Sequence, residues 1–216
     1  EGFGSRRGVR DAKAEIVPHI RNDGVLMLNA EDELCMTLEE RHSGPVRTFG
    51  LSSDAWLHPD ELTWKNGGWT FRVRERTFHL PAPGRYNVKN ALAAIGLALE
   101  MGCDPDSLQK GLTKVSLPPM RFQKKDIAGV KVVEDCYNSN PTAARAAVDA
   151  FLDEPVDGRR IVVFGDMLEL GERAPELHRE MGRYLAGREI QVLVAVGQHG
   201  RKVLEGWNGR TSSGRR

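Results

Sequence analysis

The sequence predicts an α/β protein in two units, and three observations support that class. Short apolar runs rich in β-branched residues alternate along the chain with longer segments of helical periodicity. A strict alternation of apolar and polar residues interrupts this pattern between Trp64 and Leu80. Leu117-Pro118-Pro119 then breaks both patterns and is typical of a hinge or domain boundary. We therefore expect domains at residues 1–117 and 118–204.

The first unit is predicted to combine parallel strands and helices with an antiparallel hairpin. The hairpin turns at Asn66-Gly67 and is an excursion from the parallel sheet. Caps, apolar periodicity and breakers predict the other elements. These are a helix from Ser5 through Ile16, a strand at 24–29, a helix at 34–41, a strand at 46–49, a helix at 87–101 and a helix from Asp104 to Lys114.

The second unit is predicted to be a series of strands and helices. The elements are strand 130–133, helix 141–152, strand 161–164, helix 174–186, strand 192–196 and a helix that begins near His199. Strands that alternate with helices predict parallel neighbours and right-handed crossovers. The series is too short for a complete sheet. Residues 205–216 lack apolar periodicity and are expected to be disordered.

Composition describes an ordinary globular protein. The 216 residues are 40% hydrophobic with a formal net charge of +1, so no charge excess calls for nucleic acid or a membrane surface. No apolar run approaches the length of a membrane span and no signal peptide opens the chain. Three cysteines without CxxC spacing favour a reduced compartment and neither a disulfide framework nor a zinc site. We expect a cytoplasmic monomer, cut from a longer protein.

A candidate site follows strand 130–133. Asp135, Tyr137, Asn138 and Asn140 lie between this strand and a helix that begins at Pro141. In a parallel sheet such a turn faces the ligand crevice, and the next helix offers free N–H groups to an anion. The alternative is an ordinary loop that uses Asn, Ser and Pro for turn chemistry.

A second polar group follows strand 161–164. Asp166, Glu169 and His178 surround a turn at Gly165, which is expected to lie beside the first turn. Helix capping is the simpler explanation for each residue taken alone. The remaining histidines are scattered and make no ligand pattern.

Further candidates lie elsewhere in the chain. Asn87 and Asn90 could present two amides on one helix face, which suits the edge of a purine base, although capping explains them as well. Arg121 follows the proline pair and could fork onto a phosphate. Lys13, on the first helix, is by itself more often a solvated lysine.

Together these segments resemble the Mur ligase family. The resemblance rests on segments that occur in the family's order from Glu1 to about Val203. They are Glu1–Ser5, Ala12–Ile16, Leu28–Asp32, Gly84–Ala94, Glu134–Pro141 and Gly165–Glu172 followed by His178. Tyr137–Pro141 and Gly165–Glu172 are most similar to the members that act on D-Ala-D-Ala.

The resemblance implies an ATP-dependent amide ligase of peptidoglycan synthesis. Such an enzyme adds D-Ala-D-Ala to UDP-N-acetylmuramoyl-tripeptide through an acyl phosphate, with magnesium offsetting charge during phosphoryl transfer. The implied fold is a partial central ATPase-type α/β domain followed by a truncated Rossmann-like C-terminal domain. Closure of two such units across a hinge suits ATP binding.

The resemblance also implies roles for individual residues. Lys13 matches a lysine that is typically carbamylated beside magnesium. Asn87 and Asn90 match positions that face adenine, and Asn29 belongs to the same nucleotide site. Arg121 matches the arginine that reaches the ATP phosphates, and Asp135 an acid that contacts the ribose. The other implied positions are Tyr137, Asn138 and Asn140 in the nucleotide cleft, and Asn138, Asn140, Asp166, Glu169 and His178 towards the dipeptide.

The chain departs from the family pattern in several places. Tyr86 stands where the family usually has His, and Glu134 and Cys136 replace the commoner Asp and Ser. No GxxxxGK[ST] motif occurs, although the family needs that loop to cradle phosphates. We therefore expect that this chain by itself does not turn over.

Three alternatives stay open at this point. The chain could belong to another ligase of the superfamily, such as a folylpolyglutamate synthase or a ligase for a different amino acid. It could be a non-catalytic module that keeps a weak nucleotide cleft. It could also be a gene fragment whose exposed sheet edge favours aggregation.

Overall fold

The chain divides between Ser116 and Leu117 into two units, and the computed structural model describes residues 5–65 and 67–211. Ser5 begins the first unit as a helix cap, since its hydroxyl accepts the Gly8 N–H at 3.0 Å. The elements of this unit are α1 (Arg6–Ala14), β1 (Leu26–Asn29), α2 (Glu33–Met36), β2 (Val46–Phe49), β3 (Glu61–Lys65), β4 (Gly68–Val73), β5 (Arg76–Leu80), α3 (Arg85–Glu100) and α4 (Pro105–Leu112).

Two sheets form in the first unit. Strands β1 and β2 are parallel and in register from Leu26 opposite Val46 to Asn29 opposite Phe49. Strands β3, β4 and β5 form an antiparallel meander. The predicted hairpin is thus confirmed and extended by a third strand, while Asn66 of its turn lies outside the described residues.

The helix predicted at 34–41 is wrong in its extent. Asp32 caps α2 by accepting the Leu34 N–H at 2.9 Å, but α2 ends at Met36. Beyond it the Leu38 N–H bonds to Cys35, three residues back, and a 3₁₀ turn follows at Glu39–Arg41. The tighter hydrogen-bond pattern ends the α-helix after one turn.

Helix α3 packs its apolar face into the core of the first unit. Val88, Leu92 and Ile95 are almost fully buried on it, at the spacing of one helix face. Fully burying each such side chain contributes roughly 1.5–3 kcal/mol. The helix packs against both β1 and β2, and Lys89 in its second turn pairs at 3.1 Å with Glu31, which follows β1.

The second unit contains a hairpin and a parallel strand pair. Its elements are β6 (Gln123–Ile127), β7 (Val130–Glu134), α5 (Pro141–Leu152), β8 (Ile161–Phe164), α6 (Ala174–Ala186), β9 (Val192–Ala195) and α7 (Gly200–Thr211). Strands β8 and β9 are parallel, as the alternation with helices predicts. The core between them and α5, α6 and α7 includes Phe164, Met181, Leu185 and Val203.

The prediction that strand 130–133 joins a parallel sheet is wrong. This strand, β7, pairs antiparallel with β6, which the sequence analysis missed. The two strands are joined by Ala128 and Gly129, with φ of 51° and 81°, the conformation of a tight two-residue hairpin turn. Ala is not a typical residue for such a turn, so the signal was weak. Val130 is exposed rather than buried.

The predicted disorder from residue 205 is also wrong as far as Thr211. Helix α7 continues to that residue, and Trp207 packs on the core of the second unit. The apolar residues of α7 that pack on this core are Val203 and Trp207, which lie one turn apart. Two residues are too few to give a clear helical pattern in the sequence. Residues 212–216 lie outside the described residues.

Two glycines allow α6 and α7 to pack closely. A Cβ at Gly182 would lie 1.9 Å from the Val203 carbonyl oxygen, and one at Gly206 would lie 2.0 Å from that of Arg179. Both contacts are with backbone, which cannot rotate away. The close approach therefore depends on the absence of side chains at these two positions.

One face of the β8–β9 pair is open. Alternate residues along the two strands are exposed and apolar, which places them on a single face. They are Ile161 and Val163 of β8 and Val194 of β9, and Val196, directly after β9, is also exposed. Among the helices of residues 5–65 and 67–211, none is both long and apolar enough to cross a membrane.

Candidate active site

The carboxyl ends of β1 and β2 carry the first group of predicted site residues. Asn29 ends β1 opposite Phe49, and its side-chain oxygen accepts the Glu31 N–H at 3.1 Å. This bond closes a turn that leads away from the sheet directly after the strand. Asn29 therefore lies at the edge of the parallel strands where ligands bind in α/β folds.

Glu31, which the sequence analysis did not select as a site residue, joins this edge to α3. Its carboxylate accepts the Leu51 N–H and pairs with the Lys89 ammonium at 3.1 Å. Partial burial acts to raise the pKa of Glu31, but the Leu51 N–H and Lys89 outweigh it, and the pKa is lowered. Its position directly after a predicted strand was the signal that could have identified it.

Asn87 and Asn90 do lie on one helix face but have different environments. Asn87 is 9% exposed, and its amide donates to the Pro83 carbonyl at 2.7 Å. Asn90 is exposed and donates to the Asn87 side-chain oxygen at 3.4 Å. A structural role at the start of the helix, the alternative to base recognition, thus applies to Asn87, whose hydrogen bond holds the chain where α3 begins after Gly84. Asn90 is the amide of the pair that solvent reaches.

Lys13 lies in the last turn of α1 and is exposed. No ion pair to its ammonium is formed by the residues the structure describes. Its neighbour Ala14 is buried in the small core formed with β1, so the helix position is fixed while the lysine side chain extends into solvent. The described part of the chain holds no group of three His, Cys, Asp or Glu side chains that could bind a metal ion.

Arg121 and Tyr137 contact each other in the second unit. The guanidinium carbon lies 4.7 Å from the centre of the Tyr137 ring, the distance of a cation–π contact, which contributes about 0.5–1 kcal/mol at an exposed site. Both side chains are exposed. The charge of Arg121 is therefore accessible to an anion while the ring limits its orientations.

The backbone next to Arg121 is hydrogen-bonded to the loop after β7. The Met120 carbonyl accepts the N–H groups of Cys136 and Tyr137 at 3.0 and 3.2 Å. Met120 and Phe122 both have positive φ, 58° and 48°, which is unfavourable for side chains of this size. The burial of Phe122 and the two hydrogen bonds hold the segment in this conformation.

Asp135 completes this cluster. Its carboxylate accepts the Phe122 N–H at 3.1 Å. Although the residue is exposed as a whole, loss of water around the carboxyl raises its pKa, against the opposing effects of the Phe122 N–H and the Arg121 charge. The structure thus brings Arg121, Asp135 and Tyr137 together, as three residues of one accessible surface.

Asn138 and Asn140 follow on the same loop. Asn140 caps α5, because its side-chain oxygen accepts the Ala143 N–H at 2.9 Å. Asn140 is therefore the N-cap of α5. Asn138 is exposed and is the amide of this pair that is not used in the cap.

Asp166 follows β8 and links it to the start of α7. Its two carboxylate oxygens accept the N–H groups of Gln198 at 2.7 Å and His199 at 2.9 Å. Gly197 has a φ of 97°, and a Cβ there would lie 2.5 Å from the carboxylate. Burial acts to raise the pKa of Asp166, but the two N–H groups favour its charged form, and the pKa is lowered.

The prediction that His178 faces the dipeptide needs correction. His178 is 0% exposed, so no substrate reaches its side chain in this structure. Nε2 accepts the Met167 N–H at 2.9 Å, and Nδ1 lies 2.7 Å from the Ala174 carbonyl. The apolar face of α6 faces the core, and His178 lies on that face with Met181 and Leu185. Glu169, in contrast, is exposed.

The structure assembles two groups within separate units. In the first unit, hydrogen bonds and an ion pair join Asn29, Glu31 and Lys89 at the end of β1 and the first half of α3, and Asn90 follows Lys89 on that helix. In the second, Arg121, Asp135 and Tyr137 form one cluster. Strands β7 and β8 belong to different sheets among the described strands, so the predicted side-by-side arrangement of their following turns does not come from strand pairing.

Two family models match the chain. The model of the Mur ligase middle domain matches residues 1–98. The model described as Mur ligase, glutamate ligase domain, matches residues 120–211. The interval between them contains the boundary between the two units.

Individual proteins agree with these models. The UDP-N-acetylmuramoyl-tripeptide--D-alanyl-D-alanine ligase of Bacillus subtilis is 31% identical over 95% of this chain. A crystal structure of MurF from Acinetobacter baumannii matches 94% of the chain with a TM-score of 0.87 and 32% identity. MurF ligase from Thermotoga maritima in complex with ADP matches 99% of the chain and 60% of its own, with a TM-score of 0.73. At 20% identity this is a likeness of fold. The chain spans 45% of the length of each of the first two.

Proposed function

Because the chain belongs to the Mur ligase family, we propose that it forms part of an ATP-dependent amide ligase of peptidoglycan synthesis. The proposed reaction joins D-alanyl-D-alanine to UDP-N-acetylmuramoyl-tripeptide. The observation that carries the proposal is similarity, over nearly the whole chain, to relatives named for this reaction. Exposed polar groups at strand ends in both units support it.

The chemistry has two steps. The tripeptide carboxylate attacks the γ-phosphorus of ATP, ADP leaves, and an acyl phosphate forms. The neutral amine of the dipeptide then attacks the acyl carbon, and the tetrahedral intermediate expels phosphate to give the amide. Both steps develop negative charge on phosphoryl or acyl oxygens, so cationic and N–H donors around them lower the barrier.

The cluster of Arg121, Asp135 and Tyr137 is proposed to hold the nucleotide from the second unit. Arg121 supplies a planar cation that can bind two phosphate oxygens at once. The ring of Tyr137 restricts its rotation, since the guanidinium lies 4.7 Å from the ring centre. Asp135 is proposed to accept a ribose hydroxyl on the carboxylate oxygen that the Phe122 N–H leaves available, with Asn138 beside it.

The first unit is proposed to supply the base-recognising groups. Asn90 has an exposed amide with both a donor and an acceptor, as the edge of adenine requires. Asn87 supports it from the buried side through the 3.4 Å hydrogen bond. Asn29 is proposed to lie near the same nucleotide, at the carboxyl end of β1.

Lys13 is the residue proposed to contribute to a magnesium site. If Lys13 were carbamylated, its oxygen atoms would offer one ligand of the hard type that magnesium prefers. The described residues hold no cluster of three His, Cys, Asp or Glu side chains that could bind the ion by themselves. Bound magnesium would offset phosphate charge.

The loops after β7 and β8 are proposed to face the amine substrate. Asn138, Asn140, Asp166 and Glu169 remain candidates for this part of the site. Glu169 is the exposed carboxylate among them, suited to a substrate ammonium. Asp166 and Asn140 already accept backbone N–H groups, and we propose that they shape the loops.

A nucleotide-binding measurement tests the Arg121 assignment. We expect Arg121→Ala to weaken binding of a non-hydrolysable ATP analogue by about tenfold or more, because charge-assisted hydrogen bonds contribute about 1.5–3 kcal/mol. The measurement is calorimetric titration of the 216-residue chain, with hydrogen exchange at Asn90 and at Asp135–Tyr137 as the site-resolved readout. Bound analogue should slow exchange in both segments.

Arg145→Ala is the matched control. Arg145 also lies over a tyrosine ring, that of Tyr184 at 5.4 Å, but on helix α5 and outside the proposed cluster. Its replacement should leave nucleotide affinity unchanged. Equal losses in the two variants, or none in Arg121→Ala, would refute the assignment of Arg121.

A non-catalytic nucleotide-binding module is the second candidate. The absence of a GxxxxGK[ST] motif from the 216 residues favours it for the chain by itself. Phosphate release from ATP that requires both the tripeptide precursor and D-Ala-D-Ala would exclude this candidate. A screen of amine substrates separates the proposed reaction from those of other ligases in the superfamily.

A further inference from the structure

His178 holds the loop after β8 from inside the protein. It is fully buried, and both ring nitrogens face backbone groups: the Met167 N–H at Nε2 and the Ala174 carbonyl at Nδ1. An N–H must donate and a carbonyl must accept, so these partners select the neutral ring with its proton on Nδ1. One side chain thereby joins α6 to the loop after β8.

The residue that it holds is the buried anchor of an otherwise exposed loop. Met167 is 1% exposed and belongs to the core. The next residue, Leu168, is 70% exposed. Glu169 is also exposed and has a φ of 59°. Residues other than glycine adopt this left-handed conformation where the surrounding structure imposes it. The loop thus changes from core to surface within one residue.

A second attachment lies immediately before this anchor. Asp166 accepts the N–H groups of Gln198 and His199 at the start of α7. Its Oδ1 lies 3.9 Å from Nε2 of His178, and the His178 and His199 rings lie 4.6 Å apart. Among the described residues, Asp166 and His199 are therefore the titratable groups that these contacts place against His178. Consecutive residues of the loop are fixed from two helices.

We infer that His178 is a positioning residue for the amine-substrate subsite, an inference that rests on the function proposed above. By holding Met167, it presents Leu168 and Glu169 outward in a fixed relation. A carboxylate beside an exposed alkyl group suits a short peptide with a free ammonium and a methyl side chain, such as a D-alanyl dipeptide. His178 acts through Met167 and does not contact the substrate.

Two substitutions separate the two hydrogen bonds of the ring. A Gln side chain places a polar atom near the position of Nε2, and its carbonyl oxygen can accept the Met167 N–H. An Asn side chain reaches only the position of Nδ1 and can donate to the Ala174 carbonyl. His178→Gln therefore retains the proposed positioning bond, whereas His178→Asn loses it and keeps the other.

The exchange rate of the Met167 amide hydrogen, measured on the 216-residue chain, reports on its hydrogen bond to His178. In His178→Asn we expect exchange of the Met167 amide to accelerate by about tenfold, the effect of losing a buried hydrogen bond of somewhat more than 1 kcal/mol. In His178→Gln it should stay within about threefold of the wild type. Equal acceleration in both variants, or none in either, would overturn the positioning role.

Dipeptide binding supplies the functional readout. Millimolar D-Ala-D-Ala should slow exchange across residues 166–171 in the wild type and in His178→Gln, and should fail to do so in His178→Asn. Unaltered protection in His178→Asn would refute the positioning role. Lack of protection in the wild type would instead refute the proposed substrate of this loop, while the Met167 exchange rates still decide what His178 does.

Discussion

At the residue scale, Asp166 shows how a candidate ligand proves to be occupied by its own backbone. Both of its oxygens accept N–H groups at the start of α7. Those N–H groups belong to the turn that precedes a helix, where backbone donors lack partners within the helix. The carboxylate thus serves the same purpose that an external anion serves at other helix starts.

Replacing Asp166 should change stability in a way that depends on pH. The pKa of Asp166 is lower in the folded protein, so its stabilising effect is present at neutral pH. That effect is lost as pH falls through the folded pKa in the acid range. Asp166→Asn should therefore lower the melting temperature at pH 7, and the difference from the wild type should shrink as the pH approaches 3. Calorimetric scans at a series of pH values measure this.

Asp157→Asn is the control for this series. Asp157 is exposed in the loop between α5 and β8, and its replacement removes the same charge without removing a loop attachment. It should leave the melting temperature nearly unchanged at every pH. A difference for Asp166→Asn that grows in acid would contradict the explanation.

At the element scale, the contact between α6 and α7 depends on glycine at two positions. The backbone of each helix lies where the first side-chain carbon of the other would be, at Gly182 and Gly206. Glycine within a helix costs up to about 1 kcal/mol relative to alanine. The packing of α7 on the core offsets that cost, because it buries Val203 fully and Trp207 in part.

Gly182→Ala should therefore destabilise the second unit. Its Cβ would lie 1.9 Å from the Val203 carbonyl oxygen, and relief requires the helices to separate. We expect a loss of about 1–3 kcal/mol in the free energy of unfolding, as for other overpacked sites. Hydrogen exchange of amides in α6 and α7 at increasing urea concentration measures the loss.

Gly209→Ala on the same helix is the matched control. No atom lies within 4 Å of a Cβ at this exposed position, so only helix propensity changes. A gain of about 0.5 kcal/mol is expected, because the position is close to the helix end. Similar effects at Gly182 and Gly209 would show that close packing is not the cause.

At the scale of the whole molecule, the segment between the units differs from the segment that carries Arg121. Thr113–Ser116 is exposed along its whole length. The next segment is fastened, because the Met120 carbonyl accepts the Cys136 and Tyr137 N–H groups. We propose that the exposed link ends before the proline pair and that Arg121 belongs to the rigid part of the second unit.

Limited proteolysis tests this division. Trypsin should cut first after Lys114, the basic residue of the exposed segment, and leave Arg121 intact until later. Mass spectrometry should then find two fragments that meet at Lys114 and resist further digestion. In Lys114→Gln this first cut should disappear. Early cleavage after Arg121 in the wild type would contradict a fastened segment.

Local sequence signals explain the elements that were predicted well. Helix α5 begins where Asn140-Pro141 predicts it, and β8 and α6 occupy the predicted residues. In each case a cap or an apolar run lies within a few residues, so neighbouring side chains alone decide the structure. The same holds for the antiparallel strands around Gly67.

Long-range contacts explain the failures. The apolar run at Val130–Val133 is equally compatible with a buried parallel strand and an exposed hairpin, and pairing with β6 decides between them. The environment of His178 depends on Met167, eleven residues away, and on α7. The Asn87 amide donates to the Pro83 carbonyl because the chain turns back on itself where α3 begins. The residue types alone do not predict this contact.

The sequence by itself determined the α/β class, most of the strands and helices, and the family, because these depend on local propensity and on motifs in a fixed order. Only the tertiary structure decided which polar residues remain accessible. Asp166, His178 and Asn87 are occupied by backbone partners, whereas Asn90, Arg121 and Tyr137 are open to a ligand. The physical reason is that burial and hydrogen bonding depend on residues brought together by folding, and residue type does not report them.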